Sequence, residues 1–436
     1  MELKVIKRDG REELFDARKV ENAILKACCE VDGKMPEEES YEAFKARDIA
    51  YYISKIVADR DGKMTVEAIQ DEVNVKLMNT KRKDVAMAYA KYRERHAVAR
   101  DKYSELMKTV REKLMAENVQ NQNANLDESS FSGRQSEMAS AIEKELALNT
   151  MPKWMADNHR NNLIYIHDLD WFSRGGHNCL SIPIDDICKN GFWTRQMDLR
   201  PPRSIGSACQ LYAVIMQIQS LQQFGGVAYT HLDWTSVPFI RLSFWKHYCK
   251  HAKRLQRDDD GNPQTNPIFE WSDDKIKDTS IESDEYQRGW VYDWAMEDTE
   301  KETYQAVEAL YHNLNSLQSR GGGQIPFSSI NFGTCTLAEG RMFIKTCLDV
   351  SMCGLGAMHR TPIFPCVIFK VKKGVNKDEG DPNYDLFRLA LECSSKRIYP
   401  NYANCDWSVN AGADPNDPAQ EVATMGKRKL SPFKIS

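Results

Sequence analysis

Apolar residues recur every three or four positions through most of the first 115 residues, the spacing that gives a helix one buried stripe. Val20, Ile24 and Cys28 mark one such helix, and Ile49, Ile53 and Ile56 a second. Ile69, Val73 and Leu77 mark a third, and Val85, Tyr89 and Tyr92 a fourth. Ahead of them Val5-Ile6-Lys7 and Leu14-Phe15 read as short extended runs around Arg8-Asp9-Gly10-Arg11, a turn signal. Asp16 and Thr65 supply side-chain oxygens suited to helix N-caps, Gly33 can end the first helix, and the second closes near Gly62. Residues 1–95 are thus expected to form a hairpin plus a helical bundle with its own core. Leu106, Val110 and Leu114 prolong the periodicity into Asn118-Val119-Gln120-Asn121-Gln122-Asn123, where polar side chains compete with the backbone and favour turns. Residues 96–135 therefore read as a connecting helix and polar linker.

Beyond the linker the period changes. Leu163-Ile164-Tyr165-Ile166 and Val367-Ile368-Phe369-Lys370-Val371 read as extended runs, alternating with helical stretches around 208–224, 300–318, 336–350 and 384–397. Such alternation favours an α/β sheet or barrel over residues 136–426. The segment 255–288 is rich in Asp, Asn, Gln and Ser and reads as a surface excursion, while the aromatic residues around 229–245 read as core.

A chain of 436 residues exceeds one ordinary domain. Its 59 Lys and Arg against 63 Asp and Glu leave a net charge of -4, so no global basic field invites nucleic acid. No apolar run is long enough to span a bilayer, and the opening MELKVIKRDG lacks a signal-peptide core, so a cytoplasmic protein with no membrane partner is expected. Twelve cysteines without an export signal argue for reduced thiols. None forms a Cys-x-x-Cys pair or a zinc-like Cys/His spacing, so no metal site is expected in this chain.

Three segments carry candidate chemistry. Lys7, Arg8, Asp9 and Gly10, with Lys19 in the following helix, could cradle a triphosphate through charge-assisted hydrogen bonds; the alternative is a solvated basic hairpin. Cys179 ends Gly175-Gly176-His177-Asn178-Cys179, where a thiol beside an imidazole and an amide could deliver a proton or hydrogen atom; otherwise it is a buried cysteine under a Gly-rich turn. Gly321-Gly322-Gly323 leads into Phe327-Ser328-Ser329-Ile330-Asn331-Phe332-Gly333-Thr334, either a backbone against which a ligand can lie or a plain turn. It is neither a Walker loop nor a dinucleotide fingerprint.

Together these segments resemble the anaerobic, glycyl-radical class of ribonucleotide reductase. VIKRDGREELFDARKVENAI, MTVEAIQDEVNVKLMNT and DVAMAYAKYRE look like an ATP-cone. NANLDESSFSGR (123–134), YIHDLD (165–170), HNCL (177–180), SLQQFGG (220–226), GGGQIPFSSINFGT (321–334), TPIFP (361–365) and GDPNYDLF (380–387) look like successive landmarks of the catalytic subunit, in order over residues 4–426.

The resemblance implies an α/β fold, in which the ATP-cone precedes part of a ten-stranded barrel around a finger loop. It implies ATP and dATP as allosteric effectors bound near Lys7, Arg8, Asp9, Gly10 and Lys19. Ribonucleoside triphosphates are the implied substrates, formate the usual reductant, a radical-SAM iron-sulfur activase a partner, and a homodimer the assembly. A thiyl radical would take the ribose 3′ hydrogen. Cys179, in HNCL, would then help release the 2′ hydroxyl as water and reduce the sugar, with His177, Asn178, Ser329, Asn331 and Met425 as substrate-region candidates.

The chain departs from the family pattern at Ala423-Thr424-Met425-Gly426-Lys427-Arg428-Lys429-Leu430, where members continue with the radical cysteine in Cys-Arg-Thr-Arg. Residues 427–436 thus read as a divergent tail. That cysteine, the family's zinc site and its glycyl radical are expected only in a complementary C-terminal fragment, so the chain is expected to be an incomplete catalytic subunit, inactive alone. The alternative is an ATP-binding regulator without catalysis.

Overall fold

The computed structural model describes residues 3–7, 10–60, 62–114, 131–173, 175, 178–194, 197–223, 225–255, 265–320, 323–407, 414, 417–421, 423–425 and 429–430. The chain divides into two compact units, Met1–Arg111 and Glu112–Ser436.

In the first unit, β1 (Lys4–Ile6) and β2 (Glu12–Leu14) pair antiparallel across the expected turn. Helix α1 (Ala17–Asp32) starts where Asp16 accepts from the Arg18 N–H and stops at Gly33, whose φ of 73° suits a left-handed cap. Helix α2 (Tyr41–Asp59) is capped by Ser40; β3 (Lys63–Thr65) then runs parallel to β1, with Val5 opposite Met64. Thr65 caps α3 (Val66–Met78), and α4 (Lys83–Leu114) follows. The apolar stripes converge: Ile24, Ile53, Val57 and Val73 are buried together with Val5 and Met64 from the sheet. Each such side chain contributes about 1.5–3 kcal/mol on leaving water. The three-residue β3 is too short to show a period of two, and the sequence pattern misses it.

The second unit opens with α5 (Phe131–Thr150) and α6 (Lys153–Arg160). Next come β4 (Leu180–Ser181), α7 (Ile184–Asn190), the β5 (Phe192–Trp193) and β6 (Asp198–Leu199) hairpin, α8 (Ile205–Ser220) and β7 (Val227–Tyr229). The chain continues through α9 (Leu232–Leu255), α10 (Asp273–Asp278), α11 (Trp290–Ser316), β8 (Ser328–Phe332), α12 (Ala338–Cys353), β9 (Cys366–Val371), α13 (Tyr384–Arg397) and β10 (Asn401–Asn404). A short hairpin of β11 (Thr424–Met425) and β12 (Lys429–Leu430) follows. Five strands form one parallel sheet in the order β10-β9-β8-β7-β4, the α/β class the sequence pattern implies.

Alternation along the strands divides the sheet's two faces. Val227, Tyr229, Ile330, Phe332, Val367 and Phe369 pack against α8, α9, α11, α12 and α13 in one large core. Ala228, Ser329, Asn331, Ile368 and Lys370 point to the opposite, more polar face.

Two expectations are corrected. Leu163–Ile166 is not a strand: it is a turn after α6, with Leu163 72% and Tyr165 81% exposed. Asn158 O takes the N–H groups of Leu163 and Ile164, and His159 Nδ1 takes that of Ile166, so no strand partner is needed. The described part of 255–288 is not a mere surface excursion either. Ile268, Ile276, Ile281 and Tyr286 are buried; Asn266 and Ser272, two of the residues that made the segment look polar, are helix N-caps beside Ile268 and Ile276.

Candidate functional site

In the first unit a cleft opens between the hairpin, α1 and α3. Val5, Val20, Ala23, Val66, Ile69 and Val73 give it an apolar lining, to which Gln70 and Tyr89 add polar groups and Lys7 and Lys19 add charge. Burial pushes the Tyr89 hydroxyl up to about 12, so it stays neutral. Glu13 lies between the cations, 3.0 Å from Lys7 Nζ and 3.9 Å from Lys19 Nζ. The hydrogen bond from Lys7 holds its carboxyl below the usual range. The turn itself needs Gly10, whose φ is 83° and whose N–H donates to Lys7 O. Arg8 and Asp9 lie outside the described residues.

In the second unit Cys179 immediately precedes β4. Leu180 packs on the helical layer and its N–H donates to Gly226 O (3.0 Å), so alternation sets Cys179 and Ser181 toward the polar face. The thiol is half-buried and donates to Asn178 Oδ1 at 3.5 Å. Asn178 is itself gripped: Gln223 Nε2 donates to its carbonyl (3.3 Å), and a Cβ at position 225 would fall 2.2 Å from that oxygen, so only Gly225 admits the approach. Gln223 is buried, and its Oε1 has no hydrogen-bond partner among the described residues. His177 lies outside the described residues.

Ser329 and Asn331 are buried neighbours on the polar face of β8. Asn331 Nδ2 donates to Tyr229 O (2.8 Å) and Thr424 O (3.1 Å), while its Oδ1 accepts from Thr424 N–H (3.1 Å). Its amide is committed to backbone, and it holds residues 423–425 against β8. Met425 follows in β11; its side chain is not among those described.

Sequence reasoning missed the charges beside this segment. Glu421 receives Lys370 Nζ at 3.1 Å, Lys372 Nζ at 2.9 Å and the Thr334 hydroxyl at 3.0 Å. Burial pushes the Glu421 carboxyl up, but Lys370 and Lys372 outweigh it and the net shift is downward. Close by, buried Asp233 accepts the N–H groups of Gly333, Thr334 and Cys335 at 2.9, 3.0 and 2.9 Å; burial raises its carboxyl despite them. One signal was visible in advance: a lysine in the middle of Val367-Ile368-Phe369-Lys370-Val371 cannot sit in a covered strand without a partner. Among the described residues no three His, Cys, Asp or Glu side chains gather where a metal ion could be held, and no helix is long and apolar enough to cross a membrane.

Comparison with known proteins agrees with the resemblance. Residues 122–431 match the family model described as "Anaerobic ribonucleoside-triphosphate reductase", and residues 3–98 that described as "ATP cone domain". The anaerobic ribonucleoside-triphosphate reductase of Haemophilus influenzae is 31% identical over 418 residues, covering 93% of this chain and 52% of that one. That of Escherichia coli is 30% identical over 413 residues, again covering 93% and 52%, and that of Enterobacteria phage T4 32% over 282 residues, covering 64% and 41%. The chain thus spans about half the length of the curated relatives it matches. A solved anaerobic ribonucleotide reductase from Thermotoga maritima, in complex with dATP and CTP, aligns with 73% of this chain and 51% of its own at 14% identity and a TM-score of 0.42. With a family model matched over residues 122–431 and an ATP cone ahead of it, the chain belongs to the anaerobic ribonucleoside-triphosphate reductase family.

Proposed function

We propose that this chain contributes the nucleotide-sensing cone and the Cys179-bearing part of the substrate site to an enzyme that reduces ribonucleoside triphosphates. A complementary C-terminal reductase segment would complete that enzyme. The observation that carries the reading is the common face of Cys179, Ser329, Asn331 and the crossing segment 423–425. On this reading the half-buried Cys179 thiol, at the edge of that polar face, would act on a ribose lying against it.

The family's radical, which a radical-SAM activase would supply, would open the reaction by taking the ribose 3′ hydrogen. This chain's part is proton and hydrogen delivery: Cys179 Sγ–H would protonate the departing 2′ hydroxyl, which leaves as water, and, with its proton regained from solvent, the thiol would give a hydrogen atom to C2′. Oxidation of formate to carbon dioxide would supply two electrons, one restoring that thiol and one reducing the 3′ carbon, to which the first hydrogen returns. Gln223 and Gly225 hold the Asn178 carbonyl, and through it the peptide before Cys179. In the cone, the apolar cleft would take the adenine and ribose of ATP or dATP, with Lys7 and Lys19 exchanging Glu13 for phosphate oxygens.

The test is anaerobic turnover of this chain combined with a complementary C-terminal segment, activase, S-adenosylmethionine, formate and nucleoside triphosphates. Deoxynucleotide should form with Cys179 and not with Cys179→Ser, because a hydroxyl is a poor hydrogen-atom donor; loss of acid–base help alone costs about 10²–10⁴-fold. Undiminished turnover by Cys179→Ser removes the assignment. Persistent ATP binding without any turnover would favour a regulator.

A further inference from the structure

Glu421 lies three residues before Thr424, and the two are fastened to different strands. The Thr424 backbone exchanges two hydrogen bonds with the side-chain amide of Asn331 on β8. Glu421 takes Lys370 on Oε2 and Lys372 on Oε1, both projecting from β9 and the residue just beyond it. Lys370 and Lys372 are alternate residues, which places both ammonium groups on the polar face. β8 and β9 are hydrogen-bonded neighbours, with Asn331 opposite Ile368. The strands therefore lie about 4.8 Å apart, and three extended residues reach about 10 Å, enough to join the anchors.

Stability alone is a weak reason for this arrangement. Lys370 is 0% and Glu421 7% exposed in their side chains. Well-packed apolar residues of similar volume often stabilise as much as a buried ion pair. An apolar contact, however, tolerates sliding, whereas a carboxylate received by two ammonium groups and the Thr334 hydroxyl has one satisfactory position. Trp234 Nε1 in turn donates to Thr334 Oγ1 at 3.1 Å and fixes that hydroxyl.

We propose that Glu421 is a positioning residue, whose clasp on Lys370 and Lys372 sets where residues 423–425 cross the polar face. The clasp brings Thr424 to Asn331 and carries Met425 onward in a single register. Its importance to turnover rests on the proposed reductase function; its existence does not.

Hydrogen exchange of the full chain tests it, comparing wild type with Glu421→Gln and with the double variant Lys370→Met/Glu421→Leu, which takes away the fully buried Lys370 charge together with Glu421, leaves the 20% exposed Lys372 to solvent and guards against simple misfolding. In both variants the Thr424 amide should exchange about tenfold to a hundredfold faster, the range for losing a hydrogen bond to a charged group. Glu421→Gln strands the buried Lys370 charge and lowers protection throughout the unit as well, so the discriminating comparison is the double variant, in which amides of Val227–Tyr229 and Ile330 should keep their protection. Unchanged exchange at Thr424 overturns the proposal, and so does an equal loss across β7, β8 and β9 in the double variant, which marks a merely structural ion pair. No turnover is measured, so failure here is distinct from failure of the reductase reading, which would appear as an inactive complemented wild type.

Discussion

Each unit holds a glutamate between two lysines, and the two trios behave oppositely. Around Glu13 the side chains of Lys7, Glu13 and Lys19 are 30%, 45% and 67% exposed; around Glu421 those of Lys370, Glu421 and Lys372 are 0%, 7% and 20% exposed. Water and salt screen the first trio, so its lysines can exchange one anion for another at little cost. The second has lost its water, and each charge depends on the others. The same residue types thus make a replaceable occupant in the cone and a fixed anchor on the sheet, and solvent access decides which.

The largest effect that would break this contrast is on stability. Glu421→Gln leaves Lys370 buried without its counter-charge and should destabilise the second unit by about 3–5 kcal/mol. All nine tryptophans lie between residues 154 and 407, so denaturant unfolding followed by tryptophan fluorescence reports that unit alone. A loss below about 1 kcal/mol would place Glu421 with the exposed trio.

Acid should remove the same difference. The folded Glu421 carboxyl lies below its ordinary value of 4.5, so its contribution is complete above pH 4.5 and is lost as pH falls through the depressed folded value. The gap in stability between wild type and Glu421→Gln should narrow below pH 4.5. A gap that widens with acid would contradict the sign.

In the cone, Lys7→Ala should weaken ATP binding about tenfold to a hundredfold by calorimetry, through loss of a charge-assisted hydrogen bond. Raising ionic strength to about 1 M, where the screening length is about 3 Å, should erode that effect and leave the Glu421→Gln stability loss largely intact. The smallest expected change belongs to Glu13→Gln. Freed of their competitor, Lys7 and Lys19 should bind ATP more tightly by less than about fivefold, at low salt only. Tighter binding that persists at high salt would mean that Glu13 is not a screened surface partner.

Local physics made the cone legible. Asp16, Thr65 and Gly33 act within a few residues of themselves, and the apolar stripes of α1 to α4 needed only the helical period. The sheet was legible where a strand is mostly apolar, as in β9, and misleading where apolar residues serve a turn, as at Leu163–Ile166. Cys179 stood out because its neighbours are unusual. Glu421 did not, and the SLQQFGG landmark and the lysine within β9 gave no hint of what Gln223, Gly225 and Lys370 touch, because the partners lie far along the chain: Gln223 meets a carbonyl 45 residues away and Glu421 a lysine 51 residues away. No window of sequence contains both halves of such a contact.

The distances along the chain that hid these contacts also set an order in time. β7 and β8 are neighbours in the sheet, yet Asn331 reaches the Tyr229 carbonyl from 102 positions away, across α9, α10 and α11. Closing so long a loop has a large entropic cost before any strand pairing offsets it, and proteins dominated by such pairings fold slowly. The helices between can form early from local contacts, but the face that gathers Ser329, Asn331 and Thr424 exists only after β8 has docked beside β7. The candidate site is therefore expected among the last features of its unit to be assembled, after the helices that flank it.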